Sequence, residues 1–247
     1  MPINTKPRAP TTNRLLDALP KIEYQRLLPG LEQVTLRFAE VLYEPGAGIQ
    51  HVYFPNDSVV SLLAAVADRS TLEVGIVGNE GVAGISVFMG VETSPYRAIV
   101  QGAGTAMRMK ASVMREESEG AGPLRRLLLL YAHSLLTQAS QSAACNRFHM
   151  VDARLARWLL MSGDRLGTDE FLLTQEFISD MLGVRREGVS RAAGVLQKSA
   201  LINYSRGHIK ILDRAGLEAA SCACYGILKG ENNSHPGNSG LPQQRQI

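Results

Sequence analysis

The chain has 247 residues, of which 45% are hydrophobic and 20% charged, a composition that suits one large globular domain or two ordinary ones. No apolar run approaches the roughly 18 residues of a membrane helix; the longest, near Val59 to Ala67, is interrupted by Ser61. The opening Met1-Pro2-Ile3-Asn4-Thr5-Lys6 lacks the apolar core of a signal peptide, so a cytoplasmic protein that does not enter membranes is expected.

The net charge of +3 becomes informative when it is divided along the chain. Residues 1 to 150 hold fourteen Lys and Arg against thirteen Asp and Glu, whereas Val184 to Arg214 holds seven cations against Glu187 and Asp213. A short segment with that excess suits a polyanionic partner. Cys145, Cys222 and Cys224 do not make four ligands by themselves, and the Cys-x-Cys pair has no partner pair. They are expected as small buried side chains, with no metal site and no cofactor.

In chain order, residues 1 to 12 are expected to form a loose arm. Leu15 to Leu28 carries apolar residues at helical spacing and is broken by Pro20, which predicts two short helices. The texture then changes to short β-rich runs between turn residues: 34–38, 41–43, 51–54, 59–64, 71–77, 98–101 and 105–109. That pattern predicts an all-β sandwich or jelly-roll barrel. After Pro123 a long helix follows, with Leu124, Leu128, Tyr131 and Leu135 on one face, broadened by Leu127 and Leu130. This surface exceeds what one domain side needs, and pairing with the same helix of a second copy is expected. A further helix begins at Val151 and is expected to end in a turn from Gly163 to Glu170.

The most informative stretch runs from Thr174 to Gln197. Thr174 is a sound N-cap, Phe177, Ile178, Met181 and Leu182 form a core side, and Gly183 supplies a helix stop. On the helix that follows, at about 100° per residue, Arg186, Glu187, Ser190 and Arg191 fall within an arc of roughly 140°. Val189, Ala192, Ala193 and Leu196 lie opposite. Arginines and a carboxylate projecting from a helix suit the acceptor pairs of guanine and the donor of cytosine in the major groove. Leu201 to Tyr204 and His208 to Leu212 then flank Ser205-Arg206-Gly207, a basic β-hairpin whose Arg206 and Lys210 would meet phosphates. Asp213 caps a last short helix through Ala220, and residues 230–247 are expected to be a disordered tail.

A small β-barrel, a long helix, a helix-turn-helix and a basic wing resemble the Crp/Fnr family of bacterial transcription regulators over about residues 15 to 225. The likeness is strongest where Thr174-Gln175-Glu176 leads through Leu182-Gly183 to Arg186-Glu187-Gly188-Val189-Ser190-Arg191. It implies base reading by Arg186, Glu187 and Arg191, phosphate contacts by Gln175 and Arg185, and a base or backbone contact by Ser190. Arg185 departs from the Ser or Thr common at a helix start. The barrel resembles the cyclic-nucleotide-binding-like domain through Tyr43-Glu44-Pro45-Gly46 and Val74-Gly75-Ile76-Val77-Gly78. Where members that bind cyclic nucleotide have Gly-Glu and Arg-(Ser/Thr)-Ala, this chain has Gly84-Ile85 and Tyr96-Arg97-Ala98. The expectation is therefore an effector other than cyclic AMP, with Gly84, Arg97 and Ala98 as candidate contacts. Gly75, Gly78, Gly81 and Gly84 are expected to serve tight turns rather than an anion cradle.

The expected architecture is α+β: a sensor jelly roll over 13–120, a dimerisation helix over 121–147 and a winged helix-turn-helix over 148–221. The expected function is a homodimeric, non-enzymatic regulator of inverted-repeat operators on double-stranded DNA, working with RNA polymerase and an unknown small-molecule effector. A haem-based sensor using His51 and a cupin-like metal enzyme are the alternatives; the latter needs several histidines in the barrel region, which holds His51 alone.

Overall fold

The computed structural model describes residues 12–65 and 71–234. The loose arm, except for Thr12, and the tail beyond Ser234 lie outside the described residues.

Two short helices, α1 (Arg14–Asp17) and α2 (Lys21–Leu27), flank Pro20 as the sequence predicts. Asn13 caps α1 by accepting from Leu16 N at 3.1 Å, and its amide donates to the carbonyls of Pro55 and Gly81 at 2.8 and 2.9 Å. One buried side chain thus fixes where the chain enters the β-domain. That domain contains β1 (Leu31–Leu36), β2 (Val41–Tyr43), β3 (His51–Pro55), β4 (Val59–Ala65), β5 (Thr71–Val77), β6 (Tyr96–Gly102) and β7 (Gly104–Lys110). They form two antiparallel sheets, ordered β1-β7-β3 and β2-β6-β4-β5. This is a barrel-like jelly roll that, among the described residues, hydrogen bonds do not close into a ring. Val52, Phe54, Val60, Val77, Val100 and Met107 fill its interior.

Helix α3 (Ala111–Ser118) leads into α4 (Pro123–Phe148), which begins with proline at a position that needs no N–H donor. The apolar face that the sequence reading assigns to a second copy is used within the chain: Leu124, Leu127, Leu128 and Tyr131 are buried in the β-domain core, with Leu135 packed against it. Periodicity identifies a buried face and cannot say which surface buries it. The polar continuation of this face has a related reason. Strand β5 is a sheet edge, and Gln138 covers it by accepting from Ile76 N and donating to Ile76 O at 3.3 Å. The glycines before β6 also belong to this packing: a Cβ at Gly81 would sit 2.0 Å from the Tyr131 ring, and one at Gly78 would sit 2.8 Å from Arg165. At these two positions the missing side chain lets helices lie directly on the β-domain, a packing role beyond the tight turns that the sequence suggests. Among the large apolar residues of α4, Leu129, Leu136 and the terminal Phe148 stay exposed; Leu129 and Leu136 are seven residues apart, with exposed Ala143 seven further on.

Helix α5 (Val151–Leu166) runs through Gly163 and stops at Gly167, whose φ of 65° supplies the left-handed cap. The turn therefore begins four residues later than the sequence suggests. Strand β8 (Glu170–Leu172), absent from that reading, pairs with β10 (His208–Ile211), which pairs with β9 (Ile202–Ser205). Between β8 and β9 lie α6 (Gln175–Leu182) and α7 (Arg186–Lys198); α8 (Arg214–Ala220) and α9 (Cys224–Ser234) are the last elements among the described residues. Residues 230 to 234, expected in a disordered tail, belong instead to α9, which buries Tyr225 and Leu228.

The winged domain shares a core with the outer face of the β-domain, where Val59, Leu63 and Ile76 pack with Trp158, Met181 and Leu182. Polar groups cross the same seam. Trp158 Nε1 donates to Glu73 at 3.1 Å, Gln101 Nε2 to Ser162 Oγ at 2.6 Å, and Arg165 Nε to Glu80 at 2.8 Å. Loss of hydration pushes the Glu73 carboxyl up to about 7, against smaller opposing contributions from Ser61, Arg157, Arg165 and Trp158. Among the described residues, no helix is long and apolar enough to cross a membrane.

Candidate nucleic-acid interface

Helix α6 begins where Thr174 Oγ1 accepts from Phe177 N at 3.1 Å and ends at Gly183, with φ 61° and ψ 41°. Gly183 is needed twice, because a Cβ there would also sit 2.8 Å from Leu72. Its left-handed backbone turns the chain into α7, on which Val189, Ala192, Ala193 and Leu196 are buried. Arg186, Glu187, Ser190 and Arg191 are exposed on the opposite side. The helical arc read from the sequence is therefore a real surface, and neither the β-domain nor the wing covers it.

Gln175, expected at a phosphate, has a second task. It donates to Ser190 Oγ at 3.4 Å and accepts from Arg186 Nε at 3.3 Å. This bridge between the first turns of α6 and α7 restricts the Arg186 side chain before any partner arrives. Arg185 occupies the N-cap position of α7 with β-region backbone and no side-chain cap bond. The first N–H groups of α7 therefore have no capping side chain, and with the exposed Arg185 beside them they form an anion-seeking helix start.

The wing is fastened to this unit at its tip. Leu173 N donates to Gly207 O at 2.7 Å, and Tyr204 Oη donates to Leu173 O at 3.1 Å. Arg206 and Gly207 both have positive φ, 51° and 84°, the geometry of a tight two-residue hairpin turn. Arg206 is exposed at that turn. Lys210 stands differently from the sequence expectation: its Nζ lies 2.6 Å from Glu170 on β8, a pair with both side chains largely in water. A phosphate contact by Lys210 must compete with this carboxylate. The missed strand β8 explains why the spacing could not show the pairing.

The three candidate effector residues stand in different settings. Arg97 Nε donates to Glu44 at 2.8 Å, Ala98 is fully buried between β2 and β4, and Gly84, at φ 95°, precedes a short 3-10 turn over Ile85–Val87. A cavity of about 350 Å³ is lined by His51, Glu92, Lys110 and Arg115 among others. Burial first, and then the neighbouring Arg108 charge, lowers the proton affinity of the His51 imidazole.

Residues 153–220 match the family model of the Crp-like helix-turn-helix domain. The fold as a whole is that of solved Crp/Fnr regulators. FixK2 from Bradyrhizobium japonicum superposes with a TM-score of 0.66 at 19% identity, over 78% of this chain and 98% of that one. A putative Crp/Fnr-family transcriptional regulator from Eubacterium rectale gives 0.66 at 16% identity, over 83% and 96%. The c-di-GMP responsive global regulator CLP from Xanthomonas campestris gives 0.64 at 15% identity, over 78% and 99%. No curated protein matches by sequence.

Proposed function

We propose that this chain, which carries a Crp-like helix-turn-helix domain on a Crp/Fnr-type fold, is a sequence-specific, non-enzymatic DNA-binding transcription regulator of the cytoplasm that acts as a homodimer. The observation that carries the reading is the exposed α7 face of Arg186, Glu187, Ser190 and Arg191, held by a capped and glycine-stopped α6 and flanked by a wing tied to Leu173. Arg186 and Arg191 read guanine edges and Glu187 reads cytosine. Arg185, Arg206 and the N-terminus of α7 hold phosphates, while Gln175 serves chiefly to set Arg186 and Ser190.

One copy presents too short a base-reading face for tight binding. Pairing through Leu129, Leu136 and Ala143 of α4 gives a two-fold dimer, and its operator is an inverted repeat with half-sites about 34–36 Å apart. The β-domain supplies the regulatory input. Arg97 is held by Glu44 and Arg115 by Glu92, so a small anionic effector has to displace a carboxylate at either place; the cavity beside His51, Lys110 and Arg115 is a second place to seek it, besides Gly84, Arg97 and Ala98.

The test is selection of bound duplexes from a random pool by the full chain. Enrichment of an inverted repeat, with affinity that falls as salt rises, is expected. Equal affinity for selected and random DNA would refute base reading. Sedimentation of Leu136→Glu should give monomers that lose operator affinity, and a wild-type monomer on operator DNA would remove the dimer from the reading.

A further inference from the structure

Where α4 ends and α9 begins, four side chains that are far apart in sequence meet. Cys145 and His149 are one helical turn apart at the end of α4, and Cys222 and Cys224 lie in the connection between α8 and α9 and at the first residue of α9. Their ligand atoms all lie within 4.8 Å of one another. Cys145 Sγ is 3.4 Å from Cys222 Sγ, and Cys224 Sγ is 3.5 Å from His149 Nδ1. In a tetrahedral zinc site, bond lengths of about 2.3 Å to sulfur and about 2.0–2.1 Å to nitrogen give ligand–ligand separations of about 3.8 Å and about 3.6 Å. These two contacts have nearly that size, and all the separations lie within 4.8 Å.

Two further observations point to a bound cation rather than a chance meeting of small side chains. Gln141 Nε2 donates to Cys224 Sγ at 3.0 Å, the kind of outer bond that orients a thiolate ligand. Arg154 and Arg157, both buried, lie close enough for their charges to bear on the thiols, and the Nε of each has no hydrogen-bond acceptor among the described residues. Three thiolates and a neutral imidazole around a divalent ion carry a net charge of −1, which compensates these cations. Soft sulfur ligands without a carboxylate disfavour magnesium and calcium. The compactness of the set leaves room for one ion and not for a multi-iron cluster.

We propose that Cys145, His149, Cys222 and Cys224 form a zinc(II) site that clamps the end of α4 to the α8–α9 connection. Binding releases the thiol protons to solvent, with no change of oxidation state. The clamp spans the His149-Met150 turn between α4 and α5, and so fixes the angle at which the winged domain leaves the long helix. The proposal does not depend on what α7 binds.

The full chain, prepared reduced and metal-free, is titrated with cobalt(II) as a spectroscopic probe and then with zinc. One cobalt per chain is expected, with thiolate charge-transfer and tetrahedral d–d absorption that zinc abolishes at one equivalent. Cys222→Ser and Cys224→Ser should lose the tetrahedral spectrum, and Gln141→Ala should keep it with affinity weaker by about 10–100-fold. Because a cysteine variant can unfold, thermal melting is measured in parallel: zinc should raise the wild-type midpoint and leave that of a folded His149→Ala Cys224→Ser variant unmoved. A folded, reduced wild-type chain that takes up no cobalt overturns the site. Uptake that is unchanged in the double variant overturns it equally.

Discussion

The outer face of α7 and the seam beneath α5 use the same kinds of residue for opposite ends. On α7, Arg186 and Arg191 are exposed to water beside Glu187, with Arg186 held at one nitrogen by Gln175 at 3.3 Å. On α5, Arg154, Arg157 and Arg165 are 6%, 6% and 8% exposed and are already engaged inside the protein. Arg154 donates to Leu182 O at the end of α6, and Arg165 to Glu80 of the β-domain. An exposed arginine contributes little to its own fold, because solvent screens it and its side-chain entropy opposes fixing. A buried one costs several kcal/mol to desolvate, so its removal or its partner's removal is felt throughout the domain. Burial, more than residue type or helical spacing, decides which arginines are open to a partner and which hold the domains together.

That contrast can be broken first at the seam. Arg165→Ala leaves Glu80 without its partner in a pair only 4% and 11% exposed, and should cost about 3–5 kcal/mol in urea unfolding. A cost below about 1 kcal/mol would place this arginine with the exposed class.

Glu73 tests the same seam through pH. Its folded value of about 7 lies above the ordinary 4.5, so the folded state holds the proton more tightly. The resulting stabilisation is complete below pH 4.5 and is lost as pH rises through about 7. Glu73→Gln cannot ionise, and its stability relative to wild type should rise between pH 5 and pH 8 by on the order of 3 kcal/mol. Parallel stability curves for the two proteins would mean that the carboxyl is not desolvated at the seam.

On the α7 face the effects move from folding to binding. Arg186→Ala should leave the unfolding midpoint almost unchanged, cost about 1–3 kcal/mol of operator affinity and relax preference at one base of each half-site. Equal loss on random DNA would reduce Arg186 to a phosphate contact. Lys210→Ala should weaken all sequences alike and lower the salt slope by about one. An unchanged slope would show that Glu170 keeps this lysine from DNA. The smallest effect belongs to Gly194, where an added Cβ meets nothing within 4 Å: Gly194→Ala should stabilise the helix by about 0.5–1 kcal/mol. If the same variant loses operator affinity, Gly194 marks a close approach of α7 to DNA.

Some of this protein follows from the sequence by itself, because the relevant interactions are local. The Thr174 cap, the stop at Gly183, the division of α7 into a buried and an outward side, and the hairpin at Arg206-Gly207 each depend on backbone preferences over a few residues. The strands from β1 to β7 were legible for the same reason, as short β-rich runs between turn residues. Tertiary structure alone decided what each surface meets. Leu124, Leu128 and Tyr131 pack on the chain's own β-domain and leave Leu129 and Leu136 exposed; the periodicity of α4 is the same for either partner. The arginines of α5 and α7 look alike in one dimension and differ only after burial. The gathering of Cys145, His149, Cys222 and Cys224 depends on contacts across more than seventy residues, a closure that no spacing in the sequence encodes.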